Sequence, residues 1–535
     1  MSIGEQIPTG IPRTAPAAGL AGAAAELVAS LVEHPWGQVS PSVYETGRLV
    51  AHTPWLTGHR ERVAFLLAAQ RPDGSWGAPV AGYALVPTLS ATDALLSVLR
   101  ADPGAHGGAV AHAAARALDA VFTRFSGPSS PDRPLPDMPA IELIAPYLAE
   151  RIDGHLAALR DRPVPGLAAY AGRRIVLPAE LDDGKLALVR GLLASGATVP
   201  KKLVHALEVA GDAAPDVPGI VPESTGTVGA SPAATAAWLG PNPPADPSNP
   251  ARWHLEAAAG QHGGPVPVGF PLTVFERAWV LAWLLRAGVP VDVPPVLTLS
   301  LTAPLGPFGT PASEGLPADA DTTSGALYAL ALLGAPHRPD PLLAYELDTH
   351  FCTWQGEDGA SPTTNAHVLE AFGQYLAAAP EVVGAADAAR YRAVVAKVAA
   401  WLRARQNPDG SWTDRWHASP YYATACCAVA LAKFDPAASA GAVARARRFV
   451  LGSQRPDGAW GVWHGTAEET AYAVQILALT PGADGAESVA RARPALLTAL
   501  AGAPEGPALW HDKDLYHPTA IIRAAVIAAL QLISA

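Results

Sequence analysis

The feature that most constrains this chain is a seven-residue pattern, Gln-x-Pro-Asp-Gly-x-Trp, which occurs three times. It begins at Gln70, Gln406 and Gln454, and the last two copies lie 48 residues apart. Pro-Asp-Gly is typical of a tight turn in which glycine takes a positive φ. We expect each glutamine to end one helix, with its amide capping the next helix and stacking on the tryptophan. Because this spacing fits two helices with their loops, the repeat predicts helix pairs in a solenoid or a closed α/α barrel.

The rest of the chain is also predicted to be helical. Apolar residues recur at helical spacing in alanine-rich stretches, which run over residues 91–99, 275–285, 324–333, 393–402 and 424–431. Alternating β-branched runs are almost absent, so we predict an all-α fold with Pro/Gly loops between helices. The 535 residues exceed the roughly 150 of a typical domain, which predicts two domains or more. Residues 1–20 lack an apolar period and are predicted to be disordered.

Composition and charge exclude several classes of function. The net charge is −11 and no stripe of Lys or Arg stands out, so no nucleic-acid partner is expected. The three cysteines are too few for a disulfide framework and show no metal-binding spacing, which favours a reduced, cytoplasmic location. No signal peptide is recognisable, and no apolar run reaches the roughly 20 residues of a transmembrane segment.

One short segment carries a pair of carboxylates. Asp319 and Asp321 are separated by one alanine and followed by Thr322 and Thr323, before an apolar stretch that predicts a helix. Burial raises the pKa of a carboxyl group, a second carboxylate raises it further, and such a pair titrates as a unit. The dipole at a helix N-terminus favours the anion and opposes this effect. Read alone, Asp-x-Asp before a helix is most often a helix cap.

Together, the repeats and this pair resemble a known family. The repeats resemble the QW motifs of squalene-hopene cyclases and class II diterpene cyclases, and residues 319–323 resemble their DxDD motif in the DxDTT form of some actinobacterial diterpene cyclases. Further segments resemble those of the copalyl diphosphate synthase type, in the same order along the chain. They are residues 42–46 (SVYET), 202–208 (KLVHALE), 231–236 (SPAATA), 275–279 (FERAW), 419–422 (SPYY) and 513–516 (KDLY).

The resemblance implies a two-domain βγ fold of α-barrels. The γ domain is expected over residues 46–290, and the β domain over residues 291–535 together with the N-terminal segment 1–45. Substrate is expected between the two domains. The implied activity is protonation-initiated cyclisation of geranylgeranyl diphosphate to a bicyclic diterpenyl diphosphate such as copalyl diphosphate, with the diphosphate retained.

The resemblance also implies roles for single residues. Asp321 is the expected proton donor to the alkene, and Asp319 is expected to tune it. Thr322 stands where a fourth Asp is usual, so one charge is missing from the cluster. Asn365, 44 residues after Asp321, matches the Asn that orients the donor. Cation–π stabilisation of the carbocations is expected from aromatic side chains, with Trp354, Trp283, Tyr421 and Tyr422 as candidates.

The end of the reaction is less determined by the resemblance. His205 matches a His that, in plant ent-copalyl enzymes, acts through water with an Asn of the FERLW helix. The Asn position falls at Ala282 or Trp283, so the dyad is incomplete here. His205 is expected to act as a base alone or to be structural. Halimadienyl and clerodienyl diphosphates therefore stay open as products beside copalyl diphosphate.

The diphosphate end has its own candidates. Asp137 and Glu142 resemble the DxxxxE motif proposed for Mg²⁺ in bacterial class II cyclases, so Mg²⁺ is the expected cofactor. With Pro139 in the first turn of a helix, Asp137 would precede that helix and Glu142 would lie in its first turn. Lys185 matches a diphosphate-binding lysine, and Arg405 and Lys513 are further candidates. Neither DDxxD nor an NSE-type triad occurs, so a class I site is not expected.

Several alternatives stay open at the level of sequence. A shorter pocket would take farnesyl diphosphate and give a drimane. A squalene-type triterpene cyclase would need more QW motifs and no DxxxxE motif. Outside the terpene cyclases, an inactive α/α-barrel scaffold and a glycoside-processing barrel with paired carboxylates are the alternatives. The resemblance is compatible with a homodimer.

Overall fold

The computed structural model describes residues 17–125, 135–357, 359–381, 383–502 and 506–534. This part of the chain is built from helices and one two-stranded hairpin, so the predicted all-α fold class is confirmed. The helices are α1 (Ala17–Glu33), α2 (Val43–His52), α3 (His59–Ala68), α4 (Ala81–Ala101), α5 (Ala109–Ala120), α6 (Ile141–Ala158), α7 (Gly184–Ala194), α8 (Lys201–Val204), α9 (Pro232–Leu239), α10 (Pro250–Gln261), α11 (Val274–Arg286), α12 (Pro295–Thr302), α13 (Ala320–Leu332), α14 (Pro362–Ala378), α15 (Ala385–Ala404), α16 (Pro420–Phe434), α17 (Pro436–Gly452), α18 (Ala467–Leu479), α19 (Ala486–Ala501) and α20 (Thr519–Ser534).

Shorter elements join these helices. The antiparallel strands β1 (Trp510–His511) and β2 (Leu515–Tyr516) pair Trp510 with Tyr516. Five 3₁₀ segments occur in the described chain, together with one π-helical turn at Val121–Phe125. The 3₁₀ segments are Ala105–Gly108, Ala168–Tyr170, Ala179–Leu181, Leu207–Asp216 and Asp340–Tyr345. The stretches with helical periodicity lie within α4, α11, α13, α15 and α16, apart from residue 333, which caps α13. Residues 17–20 of the segment predicted to be disordered belong to α1, and residues 1–16 lie outside the described residues.

The C-terminal half forms a closed α/α barrel. Its inner helices pack in a ring, α11 on α13, α13 on α14, α14 on α16, α16 on α18, α18 on α20, and α20 back on α11. Helices α12, α15, α17, α19 and α1 pack on the outside of this ring. Alanine and other small residues line the inner helices, and these allow the close packing that one continuous core requires.

The residues between α1 and α11 form a second ring. Here α2 packs on α4, α4 on α6, and the segment Leu207–Asp216 connects α6 with α9, which returns to α2. Helices α3, α5, α7 and α10 lie outside. The stretch Gly82–Ala101 of α4 is long and apolar enough to cross a membrane, yet 83% of it is buried in this domain, as in the core helix of a globular fold.

Core packing divides the chain between α10 and α11. Helix α11 packs with α13 and α20 in the core of the second domain, whereas α10 packs on α9 in the first. The predicted boundary at residue 290 therefore lies one helix beyond the division that the cores show. Helix α1 packs against α20 and belongs to the second domain. We use first domain for α2–α10, and second domain for α1 with α11–α20.

The three repeats adopt one structure. Each turn glycine has a positive φ, 84° at Gly74, 94° at Gly410 and 86° at Gly458. The indole N–H of each tryptophan donates to the carbonyl ten residues earlier, at 2.7, 2.9 and 2.8 Å. Each glutamine amide donates to the turn glycine and to a carbonyl within α5, α17 or α19. The predicted capping role is therefore wrong, because the amide joins two helices and leaves the free N–H groups of the next helix untouched.

Candidate active site at the start of helix α13

The carboxylate pair lies at the start of the inner helix α13. Asp319 is the N-cap residue, with extended backbone, and its Oδ1 accepts the backbone N–H of Thr322 at 2.6 Å. Asp321 lies in the first turn of the helix and does not cap it. The helix-cap alternative therefore describes Asp319, while the side chain of Asp321 is directed elsewhere.

The partner of Asp321 is a histidine on the neighbouring inner helix. The Nδ1 atom of His367, in the second turn of α14, lies 2.8 Å from Oδ1 of Asp321. Asn365 does not make this contact. Its amide nitrogen donates to the carbonyls of Phe351 and Ser361, and its oxygen accepts the N–H of Phe351. Because both amide hydrogens are used on backbone, Asn365 holds the preceding loop, and the expectation that it orients Asp321 is wrong.

The electrostatics of this cluster retain a proton. Burial, and then the charge of Asp321, raises the pKa of Asp319 to about 8. Burial alone would lower the pKa of His367, but the carboxylate of Asp321 raises it well above its usual value. At neutral pH, His367 is therefore a cation that donates to Asp321, and the Asp319 carboxyl retains its proton.

An aromatic wall borders the acid pair. Trp279 of α11 meets the ring of His367 edge to face at 5.0 Å, and its indole N–H donates to the hydroxyl of Tyr422 at 2.9 Å. Phe275 stacks on Trp279 at 4.0 Å. Gly325 allows this arrangement, because an added Cβ would lie 2.5 Å from the Trp279 ring. Six side chains form one continuous set of ring contacts, which we define as the aromatic wall. They are Phe275, Trp279, His417, Tyr422, Tyr472 and Trp510.

The predicted aromatic residues are divided among three places. Tyr422 belongs to the wall, and Trp283 lies one turn deeper on α11, 5.5 Å from Tyr472. Tyr421 packs against Phe449 of the outer helix α17 and is directed away from the wall. Trp354 is half-buried and lies under the ammonium group of Lys202, 4.1 Å from its ring centre, so it faces the first domain.

His205 is held by two acceptors. Its Nδ1 lies 2.6 Å from the carbonyl of Gly229, and its Nε2 lies 2.9 Å from Oδ1 of Asp512. Burial would lower the pKa of His205, but the Asp512 carboxylate outweighs it and raises the pKa. Because both ring nitrogens must donate, the ring has no lone pair to accept a proton. This geometry favours the structural alternative for His205 over a base.

Lys513 is buried between the two domains. Its Nζ contacts Glu208 at 2.8 Å, Glu45 at 2.9 Å and the hydroxyl of Ser231 at 2.6 Å. Its side chain and both carboxylates are fully buried. Although burial lowers the pKa of Lys513, Glu208 and Glu45 raise it above its usual value. The expectation that Lys513 binds diphosphate is therefore wrong, because its donors are already used in joining the hairpin to the first domain.

A group of charged residues lies at the facing edges of the two domains. Arg415 of the second domain forms ion pairs with Glu357 and with Asp137 of the first domain, the latter at 3.1 Å. The carboxylate of Glu142 lies 3.9 Å from the ammonium of Lys185, which is 69% exposed. Pro139 precedes α6, which begins at Ile141, so the predicted first-turn position of Pro139 is wrong while that of Glu142 holds. We call Asp137, Glu142, Lys185, Glu357 and Arg415 the charged rim.

Arg405 lies apart from the charged rim. It ends the outer helix α15, is exposed, and covers the ring of Trp401 at 5.0 Å. Trp401 is stacked on its other neighbour, His350, at 4.9 Å. This packing accounts for Arg405 without a phosphate ligand.

Sequence reasoning missed several residues of the site. His367 lies two positions after Asn365 on α14, and only the packing of this helix against α13 shows which of the two side chains faces Asp321. Trp279 belongs to the FERAW segment, and its sequence signal was an aromatic residue within the helical apolar stretch 275–285. Glu468 follows the third repeat, and its only sequence signal was an acid in the first turn of a predicted helix.

Comparisons with known proteins show which family the chain resembles. Residues 365–498 match the family described as Squalene-hopene cyclase C-terminal domain. The chain is 42% identical to the ent-copalyl diphosphate synthase of Streptomyces sp. (strain KO-3988), covering 96% of each chain. It is 41% identical to the labda-7,13-dienyl diphosphate synthase of Streptomyces clavuligerus, over 95% of this chain and 92% of that one.

A solved structure is similar over the same length. The ent-copalyl diphosphate synthase from Streptomyces platensis superposes with a TM-score of 0.88 at 44% identity, covering 97% of this chain and 100% of that one. Both the sequence identity and the shared fold extend across the two domains. The chain therefore belongs to the bacterial class II diterpene cyclases, the family that includes the copalyl diphosphate synthases.

Proposed function

We propose that this protein protonates the terminal alkene of geranylgeranyl diphosphate and cyclises it to a bicyclic diterpenyl diphosphate such as copalyl diphosphate. The observation that carries the proposal is Asp321, which is held by His367 beside the aromatic wall. The names of the similar bacterial enzymes support a diterpenyl diphosphate product. Their different names at nearly equal identity leave the ring and alkene isomer open, including halimadienyl and clerodienyl skeletons.

Asp321 is the proposed donor because of how the pair is arranged. The Oδ1 atom of Asp319 accepts the N–H of Thr322, so this carboxyl serves the helix start. The Oδ1 atom of Asp321 accepts from His367, which leaves Oδ2 to take the proton held by Asp319 and carry it to the alkene. A cationic His367 stabilises the carboxylate that remains and so strengthens the acid. Proton transfer to the terminal alkene carbon gives a tertiary cation, which the internal alkenes attack in turn.

The aromatic wall serves this cation in two ways. The faces of Trp279 and Tyr422 carry negative quadrupole charge, which attracts a carbocation. Both side chains are at most 4% exposed, so the wall also keeps water away from the cation. Exclusion of water favours ring closure over capture as an alcohol.

The charged rim is the proposed diphosphate site, with Mg²⁺ as cofactor. Asp137 and Glu142 would hold the ion, and Lys185 and Arg415 would contact phosphate oxygens. Across the described ranges, no group of three or more His, Cys, Asp or Glu could hold a metal by itself. Two carboxylates still fit Mg²⁺, because this ion keeps several waters and commonly shares its shell with substrate phosphates. When bound, Mg²⁺ would neutralise diphosphate charge.

Further properties follow as proposals of the same kind. A cytoplasmic location is supported by three cysteines that are all buried and unpaired. A homodimer stays a prediction, as does the lack of a nucleic-acid partner. Farnesyl diphosphate, with a drimane product, is the second candidate substrate.

A product assay tests the function. The purified protein is incubated with geranylgeranyl, farnesyl and geranylfarnesyl diphosphates and Mg²⁺, and the dephosphorylated products are identified by mass spectrometry. We expect a bicyclic C20 alcohol from the first substrate. The Asp321→Asn variant should form none of it while folding normally, and Asp387→Asn, on the outer surface, should behave as wild type. Absence of any cyclised alcohol from wild type would refute the proposal, and turnover by Asp321→Asn would refute the donor assignment.

A further inference from the structure

A second buried carboxylate lies at the other end of the aromatic wall. Glu468, in the first turn of the inner helix α18, is 3% exposed. Its Oε1 accepts three hydrogen bonds, from Nε2 of His417 at 3.1 Å, the hydroxyl of Tyr472 at 3.0 Å and the indole N–H of Trp510 at 2.7 Å. Its Oε2 is buried, and no described residue donates a hydrogen bond to it.

The donors around Glu468 are neutral. The Nδ1 atom of His417 accepts the backbone N–H of Ser419 at 3.0 Å, so the ring proton is on Nε2 and points at Glu468. Tyr472 and Trp510 are neutral donors as well. Among the described residues, no Lys or Arg forms an ion pair with Glu468. The site therefore buries one negative charge that hydrogen bonds, the nearby His517 and the start of α18 stabilise without a Lys or Arg partner, an arrangement that costs stability.

The neighbouring glutamate shows the contrast. Glu469 accepts from the hydroxyl of Ser419 at 2.6 Å and the N–H of Val462 at 2.8 Å through one oxygen, and from the hydroxyl of Thr466 at 2.8 Å through the other. Both oxygens of Glu469 are thus used in holding the loop before α18. In Glu468, by contrast, Oε1 accepts all three hydrogen bonds and Oε2 accepts none from the described residues.

Continuous contacts connect Glu468 with the acid. Trp510, which donates to Glu468, meets Tyr422 at 4.7 Å between ring centres. Tyr422 accepts from Trp279, and Trp279 meets His367, the partner of Asp321. The aromatic wall therefore has a proton donor at one end and a buried anion at the other.

We propose that Glu468 is the base that ends the cyclisation, an inference that rests on the proposed function above. The bicyclic cation lies along the wall, and the C–H bond next to its cationic carbon breaks. The electron pair of that bond becomes the new alkene, and the proton passes to Oε2 of Glu468. One proton thus enters from Asp321 and one leaves to Glu468, as an isomerisation requires.

The weak basicity of Glu468 suits this step. Burial raises the pKa of Glu468, but the hydrogen bonds from His417 and Trp510 and the other contacts of the site outweigh burial and lower it, so the group is ionised at neutral pH. A C–H bond beside a tertiary cation is so acidic that a weak base in contact with it is sufficient. The negative charge also stabilises the cation before the proton leaves. His205 cannot share this role, because both of its ring nitrogens donate to acceptors.

The Glu468→Gln variant tests the inference. An amide keeps an oxygen for the three donors but replaces the basic Oε2 with an N–H group. With geranylgeranyl diphosphate, we expect the main alkene product to fall at least about tenfold, since a general base contributes roughly 10²–10⁴-fold. Isomeric alkenes or a hydroxylated bicyclic diphosphate from water capture should replace it. In D₂O, recovered substrate should carry deuterium, because protonation continues and reverses.

Controls keep this result distinct from other causes. Glu469→Gln tests a glutamate of the same turn, and its product ratio should equal that of wild type. If Glu468→Gln fails to fold, Glu468→Asp is the second variant. Its shorter side chain keeps the negative charge but moves the carboxylate away from the cation, and the same change of products is expected. An unchanged product ratio in a folded variant would overturn the inference. So would lost turnover without deuterium in the substrate, which would place Glu468 before initiation. A wild type without cyclised product would instead refute the proposed function.

Discussion

The Nδ1 atom of His367 lies 2.8 Å from Oδ1 of Asp321, and this contact joins two adjacent inner helices at the start of both. It fixes which oxygen of Asp321 is free to transfer a proton. The ring of Trp279 packs edge to face against the ring of His367 and holds it in place. Orientation of the acid therefore depends on three inner helices at once.

Replacement of His367 should remove this orientation. In His367→Phe, the ring volume is kept but Asp321 loses its donor, so we expect turnover to fall about 10²-fold, the cost of a misplaced reacting group. Single-turnover kinetics with geranylgeranyl diphosphate measure the effect on chemistry. Asn365→Ala should mainly lower stability, because that amide bonds backbone. If His367→Phe retains full turnover, the orienting role is wrong.

Asp319 should make stability depend on pH. Its folded pKa of about 8 lies above the usual 3.8, so between these values the folded state keeps a proton that the unfolded state has lost. Stability therefore falls as pH rises through this window, by up to roughly 1.4 kcal/mol per pH unit. Asp319→Asn retains a capping oxygen and should flatten this dependence. Urea unfolding at several pH values measures it, and parallel profiles for variant and wild type would contradict the prediction.

Lys513 should be required for stability. Its replacement in Lys513→Met leaves Glu45 and Glu208 buried without a cation, which typically costs about 3–5 kcal/mol. The matched control is Lys201→Met, because the pair of Lys201 with Glu223 is exposed at the surface and is worth roughly 0–1 kcal/mol. Urea unfolding followed by circular dichroism gives both values. Equal losses in the two variants would show that the buried network does not hold the domains together.

Glu142 should set the response to Mg²⁺. In Glu142→Gln, we expect the Mg²⁺ concentration for half-maximal activity to rise at least about tenfold, equivalent to roughly 1.4 kcal/mol of binding free energy. Glu150→Gln is the control on the same helix, where the carboxylate pairs with Arg190 at 2.7 Å. Activity is titrated with Mg²⁺ after treatment with a chelator. An unchanged profile in Glu142→Gln would assign this residue to the helix start alone.

The sequence by itself determined the local features of this protein. The turn of each repeat follows from Pro-Asp-Gly, because glycine accepts the positive φ that the turn requires. The position of Asp319 and Asp321 at a helix start follows from their spacing before an apolar stretch. Helical periodicity predicted the all-α class, since side chains on one face of a helix recur with its turn.

Only the tertiary structure decided which side chains meet. Asn365 and His367 are two residues apart on α14, so they point about 200° apart around the helix axis, and the closure of the ring selects His367 for Asp321. Lys513 became a buried interdomain ion pair because the hairpin enters the first domain, a contact that joins residues far apart in sequence. Glu468 faces the aromatic wall for the same reason. Such contacts depend on how whole helices pack, and local sequence patterns carry no record of that packing.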